Sequence, residues 1–252
     1  MLSDECGEQR AVLAIDRGCC DLQSMRCGLC AGLAGEDLHA VRAVGRRYAL
    51  RRGQAVADVT GAGTYCANLT TGILQVLRPE VDGSRTIGLV FPGEIIGDLN
   101  GGRPSDDAIV AITDAEICIY QSVDLERVAD RHPSVRRALL GSAFEALSQA
   151  RRWMLVLSRP SARERVAAFL VEMAGRLRGV NADQNTLELG LSRGRIGDLL
   201  GLSLETTSRQ MQALARAGLI AFPQRRQVRF VNRGGLEKVA GLAFRPPTGA
   251  AV

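Results

Sequence analysis

The stretch Arg195-Ile-Gly-Asp-Leu-Leu-Gly-Leu-Ser-Leu-Glu-Thr-Thr-Ser-Arg209 decides the C-terminal fold. Ser192, just ahead of it, can cap a helix running to residue 200, and Gly201-Leu-Ser203 makes a tight turn. A second helix over residues 204–217 follows, with Gly218 standing where a left-handed residue ends a helix. Two short helices joined by a brief glycine-containing turn make a helix-turn-helix. Residues 187–191 read as a short strand before it, and residues 219–222 and 227–231, joined by Pro223-Gln-Arg-Arg226, read as a hairpin wing after it. Along the second helix Glu205, Ser208 and Arg209 stand at i, i+3 and i+4 and share a face, while Met211, Leu214 and Ala215 can pack inward. A carboxylate can accept from cytosine N4, and a guanidinium can fork onto guanine O6 and N7. On an ordinary surface helix such a pair is only an ion pair. At the start of this second helix, with Thr206 beside it and Arg225 and Arg226 on the wing, it reads as a set that contacts double-stranded DNA.

Charge and composition agree with that placement. Residues 159–232 carry 12 Arg against 6 acidic residues, whereas residues 1–122 carry 11 Arg against 16, so the basic face lies in the back third. A basic face can also be plain solvation, and the helix-turn-helix is what gives it meaning. The 252 residues are 46% hydrophobic and 23% charged, which suits a globular chain of one large or two small domains. Apolar runs fall far short of the roughly 18 residues a membrane span needs, and Met1-Leu-Ser-Asp-Glu-Cys6 lacks the pattern of a secretory signal. A cytoplasmic protein without membrane contact is expected. Lys238 is the sole lysine and His39 and His132 the sole histidines, which excludes a P-loop lysine and an H-E-x-x-H zinc site. Gly190-Leu-Ser-Arg-Gly194 fits G-x-S-x-G, but a hydrolase of that type places its histidine after the serine, and here both precede it. No enzyme is expected.

Between residues 46 and 121 short apolar or alternating runs recur at 48–50, 55–59, 65–69, 73–77, 86–91, 108–112 and 115–120, with glycines between them. That spacing predicts a small all-β roll, barrel or sandwich. Residues 34–41 read as a short helix before it. Helical patterning takes over after residue 122. Leu140, Ala143, Leu147, Ala150, Met154 and Leu157 are spaced 3, 4, 3, 4, 3, the repeat of a two-helix seam, with a core-facing amphipathic helix as the alternative. Arg159-Pro160 breaks that helix, and Ser161-Ala-Arg-Glu164 is a capping box for the next. Five of the seven cysteines, Cys6, Cys19, Cys20, Cys27 and Cys30, crowd the first 30 residues, and Cys66 and Cys118 follow. In a reducing compartment clustered thiols point to metal or redox chemistry. Residues 1–34, without a lasting period, read as an arm ordered by something other than a core.

Three motifs carry a resemblance: Phe91-Pro-Gly-Glu-Ile-Ile-Gly-Asp98, Trp153-Met-Leu-Val-Leu-Ser-Arg159 and the helix-turn-helix stretch itself. Together they resemble the CRP/FNR family of bacterial transcription regulators over nearly the whole chain, and its FNR-like, oxygen-responsive branch most. The resemblance implies an α+β chain: a cysteine-bearing arm (1–34), a β-roll of the cyclic-nucleotide-binding jelly-roll type (35–122), a long dimerisation helix (123–159), a winged helix-turn-helix (160–243) and a tail (244–252). It implies a homodimer that reads palindromic TTGAT-like half-sites through Glu205, Ser208 and Arg209, with Leu204 where the cyclic-AMP branch carries an arginine. RNA polymerase is an implied partner, with residues 79–88 as a hairpin it could contact. Asp106 and Asp107 would repel a phosphate where the cyclic-nucleotide branch holds one, so no cyclic nucleotide is expected, Arg103 being the one cation in that stretch. The branch holds a [4Fe-4S] cluster on three arm cysteines and one from the roll, which carries over to Cys20, Cys27, Cys30 and Cys118, with Cys19 as an alternative to Cys20. Here Cys27 and Cys30 are two residues apart after a longer gap, the reverse of the usual order. A cluster-free regulator, a zinc or thiol switch and a haem-based sensor on the same fold remain as alternatives.

Overall fold

The computed structural model describes residues 14–16, 28–60, 64–97, 106–177, 185–224 and 227–241. Cys19, Cys20, Cys27, Arg103, Arg225 and Arg226 lie outside them. In chain order the elements are β1 (Ala14–Asp16), a one-turn 3-10 helix (Gly28–Cys30), α1 (Gly35–Val44), β2 (Gly45–Leu50), α2 (Ala57–Thr60), β3 (Tyr65–Thr71), β4 (Leu74–Glu80), β5 (Gly83–Val90), β6 (Ile95–Gly97), β7 (Ala108–Ala111) and β8 (Ala115–Gln121). Then come α3 (Ser122–Arg131), α4 (Pro133–Leu157), α5 (Ala162–Arg176), β9 (Thr186–Glu188), α6 (Arg193–Leu200), α7 (Leu204–Arg216), β10 (Ile220–Ala221), β11 (Gln227–Phe230) and α8 (Arg233–Val239). The chain divides into two compact units, residues 1–74 with 92–142 and residues 75–91 with 143–252.

The first unit is built on an antiparallel sheet ordered β1-β2-β8-β3-β6. Cys66 pairs with Tyr120 and Asn68 with Cys118 across β3 and β8. Directly opposed residues, and residues two apart on one strand, share a face, so these four side chains look the same way. Leu29 and Cys30 of the 3-10 helix, with Leu33, Leu38 and Val41, complete that core. Helix α1 has Glu36 and Asp37 in its first turn and Arg42 in its last, matching the helix dipole.

Three sequence expectations change here. Residues 28–33 are not ordered apart from a core: Leu29 and Cys30 are 0% and 1% exposed, a stretch too short to show periodicity. The run at 55–59 is a bridge at Ala55 to Val110 followed by α2, not a strand. The helix expected over 123–159 is two helices. His132 is extended and Pro133 opens α4, because proline disfavours helical geometry in the residue before it while fitting a helix's first position.

In the second unit β4 and β5 form a hairpin. Half of the expected capping box forms: the Glu164 N–H donates to Ser161 Oγ at 3.1 Å, while Glu164 Oε1 accepts from the Ser161 hydroxyl at 3.0 Å and not from its backbone N–H. Arg176 of α5 donates to Gln149 Oε1 on α4 at 2.8 Å, and its guanidinium lies over the rings of Phe91 and Trp153 at 5.0 and 5.6 Å. The core of this unit gathers Phe169, Leu170 and Met173 of α5, Ile196 and Leu200 of α6, Met211 and Leu214 of α7, and Leu236 of α8. A sheet ordered β10-β11-β9 flanks the helices.

Candidate nucleic-acid interface

Helices α6 and α7 are set by local chemistry at each end. Ser192 Oγ accepts from the Arg195 N–H and Ser203 Oγ from the Thr206 N–H, at 3.3 and 3.1 Å, so each helix has its N-cap. Helix α7 ends with Gly218 at φ +69°. The Gly218 N–H donates to Ala215 O and the Leu219 N–H to Leu214 O, at 2.9 and 3.1 Å, the paired bonds that release a chain from a helix at a left-handed residue. Arg165 Nη1 donates to Leu200 O at 3.0 Å and seats α6 on α5.

What this framework presents is the first half of α7. Glu205 and Arg209 stand out in solvent, 88% and 61% exposed, with Arg209 Nη1 3.9 Å from Glu205 Oε1. Ser208 beside them is half-buried, and Thr206, also half-buried, has its Oγ1 accepting from the Ser203 hydroxyl at 3.0 Å. Thr207, Met211 and Leu214 face inward. An exposed ion pair this long contributes little to stability, so both groups can be redirected toward a ligand without unfolding cost. Between α6, α7 and the wing runs a cleft of about 800 Å3, with Ser192, Arg193 and Gly194 on one side and Phe222 and Gln224 on the other. The Arg193 guanidinium lies 5.1 Å above the Phe222 ring.

The sequence marked Leu204 only as a departure from the resemblance, and gave Arg195 no role. Leu204, at the first position of α7, is 59% exposed, an aliphatic side chain offered at the same end as Glu205. Arg195 Nη1 lies 3.4 Å from both Ser84 O and Thr86 Oγ1 on the β4–β5 hairpin and 3.8 Å from Asp198 Oδ2. Its two hairpin partners lie over a hundred positions away, so no local pattern announces them.

On α4 the expected seam residues Leu140, Leu147, Met154 and Leu157 are exposed, as are Ala143 and Ala150 between them. Phe144 and Leu155 add to the same exposed apolar surface, at 68% and 58%; Phe144 one position after Ala143 was legible from its neighbour's place in the repeat. Of the expected metal-binding thiols, Cys30 and Cys118 are brought into one core, with Cys30 Sγ 3.9 Å from Tyr120 Oη. Cys66 shares that core, and burial pushes its thiol up to about 12. Among the described residues no three His, Cys, Asp or Glu side chains gather as a metal site. His132 Nδ1 lies 2.7 Å from Asp37 Oδ1, and His39 is exposed. No helix among the described residues is long and apolar enough to cross a membrane.

Comparison with known proteins agrees with this geometry. Residues 164–239 match the Crp-like helix-turn-helix domain. The transcriptional activator protein FnrL of Cereibacter sphaeroides is 32% identical over 88% of this chain and 92% of its own length. The chain belongs to the CRP/FNR family, on its FNR-like branch. A second CRP/FNR relative, the nitrogen fixation regulation protein FixK of Bradyrhizobium diazoefficiens, is 34% identical over 81% of this chain and 86% of its own. The solved structure of FixK2 from Bradyrhizobium japonicum aligns with a TM-score of 0.67 at 31% identity, covering 78% of this chain and 97% of that one. This CRP/FNR chain is therefore an α+β DNA-binding transcription regulator with an N-terminal β-roll, and its relatives are regulators rather than enzymes.

Proposed function

We propose that the chain works as a homodimer through α4, reads TTGAT-like half-sites with Glu205, Ser208 and Arg209, and answers to oxygen or redox state. The observation that carries the DNA reading is the exposed Glu205/Arg209 pair at the start of the second helix of a helix-turn-helix. In a major groove the two charges part, Arg209 to guanine O6 and N7 and Glu205 to cytosine N4. The Thr206 hydroxyl, Arg193 at the head of α6, and Arg225 and Arg226 serve the phosphates, which orient the domain without reading sequence. One such helix reads one half-site, so two copies related by a twofold axis are needed for a palindrome. The exposed stripe from Leu140 to Leu157 supplies the face for them, since an apolar surface of that length on a helix is costly to leave in water. The β4–β5 hairpin, with Val81 fully exposed at its tip between Glu80 and Asp82, is the surface offered to RNA polymerase. Electrophoretic and anisotropy titrations against a palindrome and single-base variants of it test the reading. Equal affinity for every sequence would overturn it.

For the sensor, the donor chemistry fits a [4Fe-4S] cluster held by Cys20 (or Cys19), Cys27, Cys30 and Cys118. Thiolates suit iron and sulfide, and two of the four, Cys30 and Cys118, lie in one core on one side of the sheet. When bound, such a group supplies an oxygen-sensitive tie between thiolates. The chain's own part is to bring the Cys30 segment onto β8, where Cys118 stands four positions before α3, and to shield it with Leu29, Leu33 and Leu38. A second reading, a cluster-free regulator, is favoured by the packing of Cys30 Sγ against Tyr120 Oη in a closed apolar core. Iron and sulfide analysis of protein purified without air separates the two.

A further inference from the structure

Helix α4 has no acidic residue in its first turn. Its leading amides and the positive end of its dipole therefore have no carboxylate from their own sequence. Asp37 of α1 places one beside the start of the helix, held there by two side chains and not by an amide. His132 Nδ1 lies 2.7 Å from Asp37 Oδ1, and the Ser134 hydroxyl donates to Asp37 Oδ2. Both carboxylate oxygens are thus taken by the residues on either side of Pro133, where α4 begins. The Ser134 and His132 contacts hold the Asp37 carboxyl below the usual carboxylate range. The arrangement is not a hydrolytic triad, because the serine hydroxyl points into the carboxylate and not toward the imidazole.

The packing around this contact is continuous with the thiols. Leu38 and Val41 of α1, Leu125 and Ala129 of α3 and Val135 of α4 belong to the same apolar core as Cys30, Cys66 and Cys118. Asp37 is the seventh residue after Cys30. A shift of the Cys30 segment off the sheet would disturb Leu38 and Val41 of α1, which pack in the same core, and so the tie from Asp37 to α4. We propose that Asp37 is a positioning residue for dimerisation: it ties the start of α4 to α1 through His132 and Ser134, so that the first turn of the seam helix is firm only while the cysteine-bearing segment is seated. This rests on the reading of α4 as the dimer seam, and it holds whichever ligand or none occupies the thiols.

The experiment compares full-length wild type with Asp37→Ala, Asp37→Asn, Ser134→Ala and Leu147→Glu. Asparagine keeps the shape and an acceptor for Ser134 while losing the charge, so it guards against a folding artefact. Sedimentation gives the dimer dissociation constant, and hydrogen exchange follows the amides of residues 134–138. Both Asp37 variants should loosen the dimer, the alanine on the order of tenfold, and speed exchange in that turn selectively, with Ser134→Ala giving a smaller effect in the same direction. If Leu147→Glu is monomeric while the Asp37 variants dimerise as wild type does, Asp37 has no positioning role and the seam stands. Exchange accelerated across the whole chain in both Asp37 variants would also overturn the inference, as general destabilisation. A Leu147→Glu protein that stays dimeric removes the seam reading, and the inference with it.

Discussion

Gly197 in α6 lies against Leu202 in the turn so closely that a β-carbon on it would stand 2.6 Å from the Leu202 carbonyl oxygen and 3.0 Å from Thr207 Oγ1. The Leu202 N–H also donates to Gly197 O at 2.9 Å, so the turn is tied to the position it presses on. Two helices can meet at this angle only if one of them has no side chain there. Gly197→Ala should therefore force α6 and α7 apart, costing about 1–3 kcal/mol of stability. Urea unfolding of the full chain measures the first effect and operator titration the second. A fully stable, fully binding alanine variant would mean that the helices shift without consequence.

The α4 stripe is tested by charge. Leu147→Glu or Met154→Glu places a carboxylate on a face that would meet its symmetry mate, and sedimentation should show monomers with sharply weakened operator binding. Phe144→Glu should do the same, since Phe144 is the largest exposed side chain on that surface. A core-facing role for the helix predicts unfolding in place of clean dissociation, which circular dichroism detects.

Legibility followed the range of the signals. Caps at Ser161 and Ser192 and the stop at Gly218 act within four residues, so the sequence shows them as plainly as the structure does, whereas Ser203, read as part of a turn, also caps α7. Strand runs separated by turns were legible for the same reason, apart from the three-residue β1 and β6 and the bridge at Ala55. What stayed hidden depends on pairing across the chain. Asp37 with His132 is separated by 95 positions and Arg195 with Thr86 by 109, and no periodicity encodes such partners. The helix break at Pro133 was visible as a residue, but an a/d repeat that begins after it drew the eye past it.

Base reading and phosphate holding should separate in a titration series. Arg209→Ala should cost about 1–3 kcal/mol on the preferred site and relax its guanine preference, whereas Arg226→Ala should weaken all sequences alike and lower the salt slope by about one unit. A uniform loss across a panel of half-site variants for Arg209→Ala would remove its base-reading role.

The Asp37 contact carries a pH signature of defined sign. Its carboxyl is held below its ordinary value of 3.8, first by the Ser134 hydroxyl and then by His132. A group whose pKa is depressed by folding adds stability that is complete above the unfolded value and lost as pH falls through the folded one. The tie between α1 and α4 should therefore be intact at neutral pH and fail only below the ordinary carboxylate range. Protection from hydrogen exchange at residues 134–138, taken against the free-peptide rate at each pH, should fall there in wild type, and Asp37→Asn should abolish that dependence. An unchanged acid response in Asp37→Asn would assign the effect to another group.

The thiols give the last test. Cys30 and Cys118 share a buried core with Cys66, but only the first two correspond to ligands in the proposed set. Iron and sulfide in protein purified without air should fall sharply in Cys30→Ser and Cys118→Ser and persist in Cys66→Ser, and air should then lower operator affinity in wild type. Loss of iron in all three variants would instead mean that serine disturbs the core itself. The Asp37 tie predicts how the signal travels: air should speed exchange in the first turn of α4 before the dimer dissociates, because the seam helix loses its tie to α1 first. If wild type holds no iron and binds its site equally with and without air, oxygen sensing is wrong, and the cluster-free reading stands on the Cys30–Tyr120 packing.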